Sequence, residues 1–256
     1  MARVIVVGSI NQDVTVTVDR FPAPGETLSG SSLTYGLGGK GANQAAAAAH
    51  SGIPTLFVGA VGTDLAGHSL RTHLAAHGVD VTHLREVDSP SGTALITVAA
   101  SGENTIILDA GANRASSIAH AKASLFPAPS DIVVLQAEIP PAANAAAIEW
   151  AHSFGARVLL NLAPARATDP ATLSRVDILV VNETEAGLTL GMPAPATPTE
   201  AIGVARALRG MGPRHVVVTL GAQGAAWASG AGARHSPAIT LGEAVDTTGA
   251  GDACVG

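Results

Sequence analysis

The chain has 256 residues, 47% of them hydrophobic, enough for one large domain with a sizeable core. Aromatic residues make up only 3%, so that core must be closed by Ala, Val, Leu and Ile packed closely. The formal charge of −6 argues against a nucleic-acid groove or an anionic membrane surface as partner, and a single cysteine, Cys254, excludes an internal disulfide and a cysteine metal site.

Arg3–Val7, within "MARVIVVGSI", reads as a first strand and not as a signal peptide, because the short apolar run turns polar without a small-residue cleavage site. Further strands are expected at Thr55–Val61, Asp131–Gln136, Arg157–Asn161, Asp177–Val181 and His215–Leu220. Several are apolar on consecutive residues, which suits strands covered on both faces. Between them the pattern predicts helices over Ala42–His50, Asp64–His77, Ser116–Leu125, Pro141–His152 and Thr199–Arg209, with a Pro-rich surface loop at Met192–Glu200. Strand–helix alternation predicts a three-layer α/β/α fold around a mostly parallel sheet. No apolar stretch reaches the ~18 residues of a membrane span, so the expectation is a soluble cytoplasmic protein.

Two stretches break the rhythm. "DVTVTVDRF" and "TALITVAASGENTIILDAG" alternate with period two, the second as a hairpin turning at "SGEN". Together they predict a small sheet over the main domain, from residues 12–37 and 91–109. The core then comprises residues 1–11, 38–90 and 110–256.

Two glycine loops carry chemistry. In "YGLGGKGANQAAAAAH", Gly36, Gly38 and Gly41 spell G-x-G-x-x-G. The polar "SGSSLTY" before them is not the buried strand that a dinucleotide fingerprint needs, and Lys40 is followed by glycine instead of the Ser or Thr of a P-loop. Lys40 and Asn43 bracket a helix start whose free N–H groups favour an oxygen-rich ligand. In "DTTGAGDACVG", Gly249, Ala250 and Gly251 expose N–H groups to developing negative charge, and Asp252 follows in the first turn, where a carboxylate can take a proton from an attacking hydroxyl. Polar residues cluster after the strands: Asn11 and Asp13, Glu138, Asn182 with Glu183 and Glu185, and Thr219 with Gly221. Ligands of parallel α/β sheets bind at that edge. No HExxH or G-x-S-x-G pattern is present.

Taken in order, "GSINQDV", "FPAPGET", "GGKGANQA", "GTDLAG", "GENTIILDAGAN", "LQAEIP", "NETEA", "VTLGAQGA" and "DTTGAGD" resemble the ribokinase-like carbohydrate kinases over essentially the whole chain. That resemblance implies ATP-dependent phosphorylation of the 5-hydroxyl of D-ribose, or of a related sugar or nucleoside such as deoxyribose, fructose or adenosine. It implies that Asn11, Asp13, Gly39, Lys40, Asn43 and Glu138 hold the sugar, and that Asp252 is the base beside an anion hole of Gly249, Ala250 and Gly251. Asn182, Thr219, Gly221, Gly224 and Gly251 would meet ATP, Glu185 a hydrated Mg²⁺, and Asp246 and Thr248 a monovalent cation, K⁺. The small sheet would be a lid through which a homodimer forms. No nucleic acid or membrane partner is implied. The chain departs from the family pattern at Cys254, where an aromatic residue is usual, and at Leu162, where proline is common. Members also continue past the point matching Gly256, so part of the core is expected beyond it. A helix of three or four residues after Gly251 is expected to be too short to hold itself, which would leave the 256 residues binding ATP poorly, or binding sugar without turnover.

Overall fold

A computed structural model of the chain describes residues 2–239, 242 and 249–256. In chain order the elements are β1 (Val4–Val7), β2 (Asn11–Val18), β3 (Ser32–Gly38), α1 (Lys40–His50), β4 (Thr55–Gly62), α2 (Leu65–Ala76), β5 (Asp80–Val87), β6 (Gly92–Ala99), β7 (Asn104–Asp109), β8 (Ile132–Gln136), α3 (Pro141–Ser153), β9 (Arg157–Asn161), α4 (Pro170–Leu173), β10 (Ile178–Asn182), α5 (Glu183–Leu190), α6 (Pro198–Gly210), β11 (His215–Thr219), β12 (Ala225–Ser229), β13 (Gly232–Ser236) and α7 (Ala250–Val255).

A nine-stranded sheet runs β13-β12-β11-β10-β9-β8-β1-β4-β5. Every neighbour pair from β11 to β5 is parallel, and β12 and β13 add an antiparallel edge. Consecutive strand residues point to opposite faces, which accounts for the unbroken apolar runs. Ile5 and Val7 enter one core cluster with Val133, Leu135 and Ile148, while Val6 enters the other with Phe57, Leu70 and Leu74. The helices thus form a layer on each face, with α1 and α2 on one and α3 and α6 on the other. A second sheet, β3-β2-β6-β7, has four strands. Its β6–β7 hairpin turns through Ala100–Glu103, with Gly102 at a φ of 86°.

The chain goes outward from β1 to β4 and β5, returns across β1, and continues outward the other way from β8. The reversal opens a crevice at the carboxyl ends of β1 and β8. α1 begins over that crevice. Gly39 precedes it at a φ of 88°, and a side chain at Gly39 would sit 2.9 Å from the Asn11 N and from the Ile10 Cα. Only glycine satisfies both the dihedral and the contact.

The expected Ser116–Leu125 helix is corrected: the segment makes separated turns, and its internal backbone–backbone bonds run only from Ala121 and Lys122 to Ile118 and from Ser124 and Leu125 to Ala121. Ile118, Ala121 and Leu125 are buried as helical spacing foretells, but the stretch is confined between the 3-10 turn Gly111–Ala115 and Pro127. Too few consecutive bonds form to repay nucleation. Edge strands β5 and β13, the neighbouring β12 and helix α5 escaped the sequence reading, because β5 is polar and the others are short and rich in Ala, Gly or Thr.

The chain ends in a short helix, where the sequence placed one. α7 extends over Ala250–Val255, and Val255 packs against the cluster around Phe57 while α7 lies along α1. Tertiary contacts supply what so short a helix lacks alone.

A methyl group at Gly41 would lie 2.7 Å from both the Ser9 N and the Ser9 O, all rigid backbone. Gly41→Ala is therefore expected to lower stability by about 1–3 kcal/mol, read as a lower urea midpoint at an unchanged m-value.

Candidate active site

The crevice gathers the ends of β1, β8, β9, β10 and β11 with the starts of α1 and α7. On the β1 side, the Ser9 hydroxyl donates to Glu138 Oε2 at 2.6 Å, and the backbone N–H of Lys40 donates to the same oxygen at 3.1 Å. Gly41 N–H donates to Ser9 Oγ at 3.3 Å. Glu138 is thereby tied to the first turn of α1. Asn11 is buried, and its Oδ1 accepts from Asn113 Nδ2 at 2.7 Å. Asn113 is fixed in turn by both backbone groups of Ile10. The Asp13 carboxylate lies against Gly38, where any Cβ would come within 2.0 Å of it. Burial, and then the charge of Glu138, push the Asp13 carboxyl up to about 6.

Asp252, nine-tenths buried at 6% exposure, sits across the crevice on α7. Its Oδ2 accepts from Asn43 Nδ2 at 3.2 Å, its Oδ1 accepts from Gln44 Nε2 at 2.9 Å, and Lys40 Nζ stands 4.0 Å from Oδ1. Lys40, Asn161, Asn182, Glu185, Thr219, Gly251 and Asp252 line one small hollow of about 60 Å³. Asp252 is therefore joined to Lys40 and, through the start of α1, to Glu138, whose charge acts on Asp13.

Thr219 and Gly251 also line an adjoining groove of about 380 Å³ with Gly221, Gly224, Ala250 and Cys254. Gly221 and Gly224 have φ of 51° and 92°. Of the two departures from the family pattern, Cys254 lines this groove and Leu162 is fully buried in the core. Gly249 precedes α7 in the left-handed region at 73°.

Asn182 and Glu185 form a capping box on α5: Glu185 N–H donates to Asn182 Oδ1 at 2.8 Å, and Asn182 N–H donates to Glu185 Oε2 at 2.9 Å. Burial raises the Glu185 carboxyl, opposed by the Asn182 N–H and Lys40. No group of three His, Cys, Asp or Glu able to hold a metal occurs among the described residues. One carboxylate at the rim suits a hydrated ion carried mainly by phosphates, not a caged one. Asp246 and Thr248, the expected cation pair, lie outside the described residues.

Sequence reasoning missed Ser9, Gln44, Asn113 and Asn161. Three of them sit inside the glycine-flanked motifs "GSINQDV", "GGKGANQA" and "GAN", but nothing local marks which polar residue turns inward.

A family model described as pfkB family carbohydrate kinase matches residues 1–256. The chain belongs to the pfkB family of carbohydrate kinases. This kinase is a phosphotransferase with an alcohol group as acceptor. It is 37% identical to a ribokinase from Haemophilus influenzae over 96% of this chain and 81% of that one. It is 36% identical to a deoxyribokinase from Salmonella typhi over 99% of this chain and 83% of that one. Its structure matches Arabidopsis thaliana ribokinase complexed with ribose and ATP at a TM-score of 0.89 and 33% identity, over 99% of this chain and 83% of that one. No helix among the described residues of this pfkB kinase is long and apolar enough to cross a membrane.

Asp13 yields a prediction with a definite sign. Its folded-state value of about 6 lies above the ordinary 3.8, so the folded chain binds the extra proton between those values. The contribution to stability is present below the lower value and is lost as pH rises through the upper one. Asp13→Asn is expected to raise the melting temperature at pH 7 and to change it least near pH 4, measured by calorimetry. If the ionised carboxylate accepts hydroxyl protons of the sugar, KM for the sugar rises as wild-type assays go below pH 6 and is high at every pH in the variant.

Proposed function

We propose that this kinase transfers the γ-phosphoryl group of ATP to the 5-hydroxyl of D-ribose. The observation that carries the reading is that Asp252, hydrogen-bonded by Asn43, shares one hollow with Lys40, and that Thr219 and Gly251 line both this hollow and a second groove. One cleft can thus hold an alcohol and a nucleotide end to end.

In the proposed arrangement Asn11, Asp13, Gly39, Lys40, Asn43 and Glu138 hold the sugar hydroxyls. Asp252 accepts the proton of the attacking hydroxyl as the new oxygen–phosphorus bond forms. The bond between the γ-phosphorus and its bridging oxygen breaks, and the electron pair leaves with ADP. N–H groups of Gly249, Ala250 and Gly251 face the charge on the transferring group. Asn182, Thr219, Gly221 and Gly224 lie along ATP. Glu185 would hold, through water, the magnesium that accompanies the nucleotide, an ion that offsets phosphate charge when bound. Asp246 and Thr248 are the proposed K⁺ ligands. Positioning and electrostatics carry most of the rate in such a site.

The small sheet is proposed as a lid that excludes water from the transfer. It divides from a core of residues 1–11, 38–90 and 110–256. Leu33, Tyr35, Leu95, Ile106 and Ile107 are each more than half exposed on it, which supports pairing with a second copy. A cytoplasmic location belongs to the same proposal.

The likeness to a deoxyribokinase keeps deoxyribose as the competing acceptor. An ADP-release assay across ribose, deoxyribose, fructose and adenosine is expected to give the highest kcat/KM with ribose. In the same assay Asp252→Asn is expected to lower kcat at least ~10²-fold while changing sugar affinity less. A deoxyribose preference rejects the ribose assignment, and an unchanged kcat rejects the base.

A further inference from the structure

Asp252 lies on a helix of six residues whose first residue follows a glycine with no side-chain cap. Little in that helix orients the carboxylate. The orientation comes from across the crevice, through Gln44, whose side chain is fully buried at 0% exposure on α1.

Both hydrogens of the Gln44 amide are used. Nε2 donates to Asp252 Oδ1 at 2.9 Å and to Asn161 Oδ1 at 3.0 Å. Its Oε1 accepts from Gln136 Nε2 at 2.8 Å. The two supports are themselves anchored in the sheet. Asn161 Nδ2 donates to the Val180 carbonyl at 3.1 Å, and the Gln136 carbonyl at the end of β8 accepts from Asn144 Nδ2 at 2.7 Å. This sets the amide the right way round: its NH₂ faces two oxygens and its oxygen faces an NH₂. A buried relay runs from β8, β9 and β10 to the carboxylate.

The two carboxylate oxygens are held unequally. Oδ2 is met by Asn43, which is half-buried at the crevice and belongs to the proposed sugar contacts. Oδ1 is met by Gln44, which no ligand can reach. An Asn43 side chain turned to a sugar hydroxyl would release Oδ2 and leave Oδ1 bonded.

We infer that Gln44 is the positioning residue of Asp252: it pins Oδ1 to the sheet and leaves Oδ2 as the oxygen that takes the proton. This rests on the reading of Asp252 as the base.

The test uses the full chain and Gln44→Met, which keeps volume and loses both N–H donors, alone and combined with Asp252→Asn. A hydrogen bond to a charged group has the size of a roughly tenfold or larger change in rate. Gln44→Met is expected to lower kcat about tenfold with KM for ribose and ATP changed less than about threefold, and to have no further effect in the Asp252→Asn background. Gln136→Met, which removes a support of Gln44 without touching Asp252, is expected to lower kcat by a smaller factor that still exceeds twofold. A crystal structure of Gln44→Met is expected to show the carboxylate rotated off its present position. A kcat within twofold of wild type, the same fold-loss in both backgrounds, a loss seen only in KM, or an unmoved carboxylate overturns the inference. If Gln44→Met does not fold, Gln136→Met decides by the same criteria. The single variant Asp252→Asn separately tests the base, so failure of that reading is told apart from failure of this one, and the crystal structure decides the positioning without any turnover.

Discussion

The whole site depends on how closely the first turn of α1 approaches the end of β1. Gly39 and Gly41 bring that turn into backbone contact with Ser9, Ile10 and Asn11, closer than any residue with a Cβ allows. The Ala42 N–H then donates to the Ser9 carbonyl at 2.9 Å, which locks the seat. Everything that touches the crevice from α1 inherits its place from this contact. Lys40, Asn43 and Gln44 are spaced so that one helix start serves Glu138 on one side and Asp252 on the other.

That seat also solves an electrostatic difficulty. Asp13, Glu138, Glu185 and Asp252 bring four carboxylates to one crevice, and Lys40 is the cation nearest Asp252 among the described residues. Amides and backbone N–H groups do most of the balancing. Glu138 is met by a hydroxyl and an N–H, Asp252 by two amides, and Glu185 by an N–H of its own capping box. Asp13 is the least compensated, and it carries the largest displacement from ordinary behaviour. Carboxylates left partly uncompensated are consistent with the sugar and metal contacts proposed for this site.

Much of this was legible before any coordinates. The apolar runs of β1, β4, β8, β9, β10 and β11 announced a buried parallel sheet, because strands covered on both faces need no polar alternation. Period-two alternation announced the small sheet for the opposite reason. The glycine loops named Lys40, Asn43 and Asp252, since glycine clusters beside charge are rare unless backbone must approach something closely. What escaped were features with no local signature. β5 is an edge strand with a polar face, and Ile118–Leu125 keeps helical spacing with too few consecutive bonds to make a helix.

The sequence by itself determined the layered architecture, the glycine-bracketed helix starts and the residue types available for chemistry, because periodicity, chain direction and steric freedom are local properties of the chain. Tertiary structure alone decided that Gln44 turns inward to Asp252, that Asn113 holds Asn11, and that Ser9 bridges Glu138 to α1. Those pairings join residues as many as 208 positions apart. A buried hydrogen bond is chosen by which groups are brought together out of water, and no stretch of sequence records that choice.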